Sequence, residues 1–228
     1  MAKNVCVKYI PLVTQGRYYR GERIIMHHSQ LDKLCCISCH LNCEILPVAS
    51  IRTSQCLERQ YCIWPGGNNF FQEGIYSILT EKTKCHLGRG FIFIDFAYYN
   101  LSLLSKRDWL TYLIQSRLPL ILVADKRMAP LATYWQRQFD EILAVIYSDN
   151  DRRIINNKIS KAICGLTTRE TCRKQLTEFE VAVLQYLMSG CSIKDICQKL
   201  ATNRNSIYNV RRSLKNKMGD TINNLITY

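Results

Sequence analysis

The chain has 228 residues, 47% of them apolar, and carries 31 Lys and Arg against 18 Asp and Glu, a formal net charge of +13. That apolar share suffices for packed cores in one or two domains and excludes global disorder, collagen, coiled-coil and low-complexity classes. The charge points to nucleic acid, an anionic membrane surface or an acidic partner, or else to a solvated basic surface.

The N-terminus, MAKNVCVKYIPLV, has no sustained apolar core and no small-residue cleavage site, which predicts no signal peptide. The longest near-apolar run, Phe91 to Tyr99 with Asp95 inside it, is far shorter than a membrane span. Twelve cysteines without an export signal predict reduced thiols in a cytoplasm. Val5 to Val13 is the first candidate strand. Cys35, Cys36, Cys39, His40 and Cys43 follow within nine residues, with His27 and His28 upstream and Cys56, Cys62, Cys85 and His86 downstream. Cys36 and Cys39 have zinc-ligand spacing, and Cys39 and Cys43 would share one helix face, so Cys36, Cys39 and Cys43 are the candidate metal ligands. A redox or iron–sulfur site is the other chemical reading. No second C-x-x-C completes a four-cysteine cage, and the same stretch reads as apolar chain in which thiols are small hydrophobes. We adopt that reading, with no metal and no cofactor. Trp64-Pro-Gly-Gly-Asn-Asn69 is turn-rich but lacks the Lys of a phosphate loop, and is expected to be a flexible connection. Residues 14–90 carry no motif we identify.

From residue 90 the pattern alternates. Phe91 to Asp95, Leu120 to Ala124 and Glu141 to Ile146 are strand-like. Leu101 to Arg117, Met128 to Phe139 and Asp151 to Cys164 are helical. Strands alternating with helices predict a parallel sheet in an α/β domain. The alternation resembles a response-regulator receiver domain, and Asp95 falls where such a domain carries its phospho-acceptor. The other parts are missing. No acid follows Val5 to Val13, Ala124 stands where a hydroxyl belongs, and Tyr147-Ser148 stands where a Lys belongs. One Asp without acidic neighbours holds Mg²⁺ poorly. Residues 1–165 are therefore read as an atypical, non-phosphorylated receiver-like domain for regulation or dimerisation, with Asp95 vestigial. Tyr18, Tyr19, Tyr61, Trp64, Tyr98 and Tyr99 leave a ligand-sensing pocket open as an alternative.

Residues 166–173 are read as a linker. Thr177 and Glu180 then make a Thr-x-x-Glu capping box, with Leu176 as its hydrophobic staple. Val181, Leu184 and Leu187 continue as a helical stripe, and Gly190 ends it. Ser192 and Asp195 make a second box before Ile193, Ile196, Cys197 and Leu200. Asn203 caps a third helix, Arg204 to Met218, with apolar Ile207, Val210, Leu214 and Met218. Gly219 closes it, and Thr221 to Thr227 reads as a short fourth helix. Asn203 to Lys217 holds five cations and no acid. Tyr208, Arg211, Arg212 and Lys215 point away from the apolar stripe, with Asn209 near its boundary. Three short capped helices, the third basic on its outer face, have the layout of a helix-turn-helix. Arg suits guanine edges, Asn suits adenine edges, and cations suit phosphates.

Leu176-Thr177, Glu180, Leu184, Gly190-Cys-Ser192, Lys194-Asp195-Ile196, Leu200, Ser206-Ile207, Leu214 and Lys217-Met218-Gly219 resemble the DNA-binding domain of LuxR/GerE-type bacterial transcription regulators. The resemblance covers residues 174–222. It implies an all-α four-helix domain over 174–228 whose third helix enters the major groove and whose fourth supports dimerisation. The implied base-reading positions are Tyr208, Asn209 and Arg212. Asn203, Arg204, Asn205, Arg211 and Lys215 complete the expected DNA-binding set. The sequence departs from the family pattern at Tyr208, Val210 and Thr202-Asn203, and Tyr208 and Asn209 at base-reading positions imply a different operator. The organisation also resembles, loosely, the atypical regulators of the RcsA and BglJ type, with degenerate receiver-like halves. The expected function is a cytoplasmic, nucleoid-associated transcription regulator, not an enzyme. It would act on promoter DNA as a homodimer or as a heterodimer with another LuxR-type regulator. A protein-interaction adaptor and a ligand- or redox-sensing regulator are the alternatives.

Overall fold

The computed structural model describes residues 34–38, 43–45, 61–80, 90–169 and 174–219. Six strands form one sheet: β1 (Leu34–Cys36), β2 (Glu44–Ile45), β3 (Tyr61–Trp64), β4 (Phe91–Phe96), β5 (Leu120–Ala124) and β6 (Ile142–Tyr147). Their order is β2-β1-β3-β4-β5-β6. The four strands β3 to β6 run parallel. β1 is antiparallel to both of its neighbours. Every residue of β4 is buried, as expected of a central parallel strand covered on both faces, and this is why its sequence reads as an unbroken apolar run.

Alternation along β4 divides the core. Phe91 and Phe93 face one layer with Ile63, Ile121, Ala144 and Ile146, closed by α1 (Asn69–Thr80) and α5 (Arg152–Ile163). Ile92, Ile94 and Phe96 face the other, closed by α2 (Leu101–Leu104), α3 (Asp108–Ile114) and α4 (Ala129–Gln138). The α/β class expected from the alternating pattern is the one observed.

Several expectations need correction. The parallel neighbour of β4 on its N-terminal side is β3, whereas Val5 to Val13 lies outside the described residues. The pattern from Leu101 to Arg117 is two helices, not one. Leu104 O, which a continuous helix would offer to Asp108 N–H, instead accepts the indole N–H groups of Trp109 and Trp135 at 3.1 and 3.0 Å. The chain contains three tryptophans, and Trp64 stacks on Trp109 at 5.8 Å while Trp135 meets Trp109 edge-on at 6.3 Å. Trp64 is thus core, not the wall of an aromatic ligand pocket. Tyr61 stacks on Phe91, and Arg127 covers the ring of Tyr98. Tyr18 and Tyr19 lie outside the described residues.

The described part of 166–173 is tied to the sheet domain. Thr168 N–H donates to Leu143 O, and Gln136 Nε2 donates to Thr168 O, both at 2.8 Å. Beyond it come α6 (Glu178–Met188), α7 (Ile193–Lys199) and α8 (Arg204–Met218). Their apolar faces join the core layer of α4. Gln185 Nε2 donates to Ser105 O at 2.9 Å, and Leu176 N–H donates to Pro130 O at 3.4 Å. Residues 221–227, expected as a fourth helix, lie outside the described residues. Among the described residues no helix is long and apolar enough to cross a membrane.

Candidate nucleic-acid interface

Local sequence sets each helix end of the C-terminal part. Thr177 Oγ1 accepts Glu180 N–H at 3.2 Å, and a Glu180 carboxylate oxygen accepts Thr177 N–H at 2.7 Å. Ser192 and Asp195 repeat the reciprocal pair at the start of α7. Asn203 Oδ1 accepts Ser206 N–H at 2.8 Å and caps α8. Gly190 and Gly219, just past α6 and α8, have φ of 73° and 99°, a region that Gly enters without steric cost. Ala201 adopts φ 48° in the turn between α7 and α8, where Thr202 N–H closes back on Cys197 O at 2.9 Å.

Glu180 joins α6 to α8. It is buried, and its carboxylate receives Lys217 Nζ at 2.7 and 2.8 Å and Ser213 Oγ at 2.5 Å. Burial pushes its carboxyl up, but the hydrogen bonds from Lys217, Ser213 and Thr177 outweigh that and hold it below its ordinary value. Lys217 also donates to Gln175 O at 3.0 Å. So one of the five cations in the Asn203–Lys217 stretch faces inward and belongs to the fold.

The four apolar positions of α8, Ile207, Val210, Leu214 and Met218, are all buried. Opposite them, Asn203, Arg204, Asn205, Tyr208, Asn209, Arg212 and Lys215 are exposed, Tyr208 by 53%. Arg211 is half-buried: it directly follows Val210 at the flank of the apolar stripe, so its outward placement needs correction. From Arg204 to Lys215 the exposed face is roughly 17 Å long at about 1.5 Å per residue, enough to follow a major groove. A groove lined by Arg107, Tyr134, Gln138, Glu178 and Ala182 lies where α6 meets the sheet domain, and no residue of α8 lines it.

Asp95, next to last in β4, is only 3% exposed. Its Oδ2 accepts Asn68 Nδ2 at 2.8 Å and the hydroxyl of Tyr99. Burial and the neighbouring Asp95 push the Tyr99 hydroxyl up to about 12. Asn68 also accepts Phe71 N–H at 3.0 Å at the start of α1, so the Gly-Asn loop expected to be flexible is pinned at its end. Asp125, after β5, accepts the N–H groups of Tyr98, Arg127 and Met128. Both carboxylates at this sheet edge thus hold backbone and side-chain donors in place. Asp125 is not singled out from the sequence, Asn68 is read there only as part of a flexible loop, and Tyr99 only as a candidate pocket aromatic rather than as a partner of Asp95. The helix-capping preference of Asn after a Gly pair was the available signal for Asn68.

Of the three candidate metal ligands, Cys39 lies outside the described residues. Cys36 is buried in β1, and exposed Cys43 precedes β2, so no helix face presents Cys43. Strand pairing, with Cys36 N–H donating to Cys43 O at 2.8 Å, replaces the expected helical spacing. Among the described residues no group of three His, Cys, Asp or Glu side chains could hold a metal ion.

Residues 35–163 match the family described as the EcpR N-terminal domain. Protein YqeH of Escherichia coli (strain K12) is 33% identical over 198 residues, which is 86% of this chain and 94% of that protein. The Vi polysaccharide biosynthesis protein TviA of Salmonella typhi is 21% identical over 164 residues, 71% of this chain and 90% of that protein. Among solved structures, RcsB from Salmonella enterica serovar Typhimurium, bound to promoter rprA in the presence of phosphomimetic BeF3−, aligns with 13% identity and a TM-score of 0.32. That alignment covers 68% of this chain and 93% of that one.

Proposed function

This chain belongs to the EcpR N-terminal domain family, and from that premise we propose that it is a transcription regulator that binds promoter DNA through α8. Family membership supports regulation as the coarse reading. One observation carries the finer one: α8 buries Ile207, Val210, Leu214 and Met218 and turns Tyr208, Asn209, Arg212 and Lys215 to solvent. In this reading α7, the turn at Ala201 and α8 form the helix-turn-helix of a LuxR-type domain spanning residues 174–228. Tyr208, Asn209 and Arg212 read base edges. Asn203, Arg204, Asn205, Arg211 and Lys215 contact the backbone. The protein works in the cytoplasm as a homodimer, or paired with another regulator of this type. Residues 1–165 supply the pairing surface. The reading contains no catalytic step. Asp95 is not phosphorylated in this reading: Asn68 and Tyr99 both hold its Oδ2, and the acids, hydroxyl and Lys that such a site needs are missing from the sequence.

A salt titration of binding to a promoter fragment tests this. Arg212→Ala is expected to weaken binding by about 1–3 kcal/mol. Lys215→Ala is expected to reduce the slope of log affinity against log salt by about 1. Unchanged affinity and slope in both variants would overturn direct DNA binding through α8.

A further inference from the structure

Cys36 and Cys62 stand directly opposite each other on β1 and β3. Cys36 N–H turns away from β3 to Cys43 O, whereas Ile37 N–H reaches Tyr61 O, each at 2.8 Å. The Cys36/Cys62 pair is therefore of the non-hydrogen-bonded kind, in which opposed side chains come closest. Such pairs have Cα atoms about 4.5 Å apart, inside the roughly 4.4–6.8 Å range that a disulfide spans. Both side chains face the same core layer, beside Leu34 and Trp64.

The surroundings favour the thiolate of Cys36. The thiol of Cys62 hydrogen-bonds to it, and Ser38 Oγ lies 3.6 Å from its sulfur. Ser38 Oγ also accepts Tyr61 N–H at 2.7 Å, which fixes the hydroxyl beside the sulfur. These bonds, Cys62 foremost, outweigh burial and lower the Cys36 thiol to about 6. Cys35, whose side chain faces the other layer, is raised by its burial. Adjacent cysteines on one strand thus differ in reactivity because strand alternation gives them different neighbours.

We propose that Cys36 and Cys62 are a disulfide-forming pair, which a hydroperoxide oxidises to a reversible bond tying β1 to β3. The Cys36 thiolate attacks the O–O bond. Hydroxide, or the alcohol's alkoxide, leaves and takes up a proton, and Cys36 becomes a sulfenic acid. The Cys62 sulfur then attacks the Cys36 sulfur, the S–S bond forms, and the sulfenic oxygen departs as water with the Cys62 proton. Two thiols lose two electrons and two protons, and the peroxide is reduced to two hydroxyl products. Among the described residues only the two-residue β2 lies outside β1 in the sheet, so brief opening of that edge admits a small oxidant. This pair is separate from α8 and does not depend on the DNA-binding reading.

The test treats the reduced full chain with one equivalent of hydrogen peroxide, alkylates the remaining thiols, and maps peptides by mass spectrometry without reduction. A linked pair of peptides is expected, with fragmentation placing the bond at Cys36 and Cys62 and a thiol reductant dissolving it. In Cys62→Ser the link is lost, and a dimedone-type probe traps sulfenic acid at Cys36. In Cys36→Ser peroxide consumption slows by roughly tenfold. Oxidation confined to exposed Cys43 and Cys164, with Cys36 and Cys62 still alkylated, overturns the proposal, as does a first disulfide between any other cysteines. The mapping on the unmodified chain decides the matter even where a variant fails to fold.

Discussion

Asp95 and Glu180 are both buried carboxylates, exposed by 3% and 6%, and the two halves of the chain hold them by different means. Glu180 meets a cation from another helix, Lys217 at 2.7 Å. Asp95 is held by the neutral donors Asn68 and Tyr99, one from the loop after β3 and one from the turn after β4. The ion pair fastens α6 to α8 and so sets the angle at which the exposed face of α8 is presented. The neutral cluster closes off the carboxyl end of a parallel sheet, the edge where open α/β folds usually bind ligands. One carboxylate supports a surface open for contact. The other seals an edge that resembles a binding site by position alone.

The sharpest way to break this comparison is to strip Glu180 of its cation. Lys217→Met leaves a buried charge uncompensated and is expected to cost about 3–5 kcal/mol in urea-induced unfolding. Adding Glu180→Gln to that variant is expected to recover part of the loss, because the buried charge is then gone. Equal stability of single and double variants would mean that the pair is not what joins the helices. A smaller effect is expected at the neutral cluster. Asn68→Ala removes a donor to Asp95 and the side-chain acceptor at the start of α1, for about 2 kcal/mol in the same measurement. DNA affinity of the folded protein is expected to stay unchanged, since Asn68 and Asp95 are not part of the exposed face of α8.

The smallest effect is a dependence on pH. The carboxyl of Glu180 is held below its usual value in the folded chain. Its contribution is therefore fully present above the unfolded value of about 4.5 and is lost as pH falls through the lower folded value. The stability gap between the parent chain and Glu180→Gln is expected to be constant from pH 7 to 5 and to narrow below about 4.5. A gap that widens on acidification would reverse the sign of this argument.

Legibility in the sequence follows the range of each interaction. Both capping boxes, the Asn203 cap and the apolar stripe of α8 were readable because their partners lie three to eleven positions apart on one helix. The central strands were readable because a strand buried on both faces is an unbroken apolar run. The inward turn of Lys217 was hidden among five cations, since its partner Glu180 is 37 positions away. The split at Leu104 was hidden for the same reason: Trp135 lies 31 positions further on.

What the residues determined by themselves is therefore the local part: which segments become helices or strands, where they start and stop, and that α8 has an apolar face and a polar one. Tertiary structure decided the pairings. It set Asn68 and Tyr99 on Asp95, Lys217 on Glu180, and Cys62 opposite Cys36. Local spacing obeys the helix and strand periods, which any stretch of chain carries with it. Contacts between distant residues exist only once sheet order and helix packing have brought their backbones together, and no period in the sequence records that.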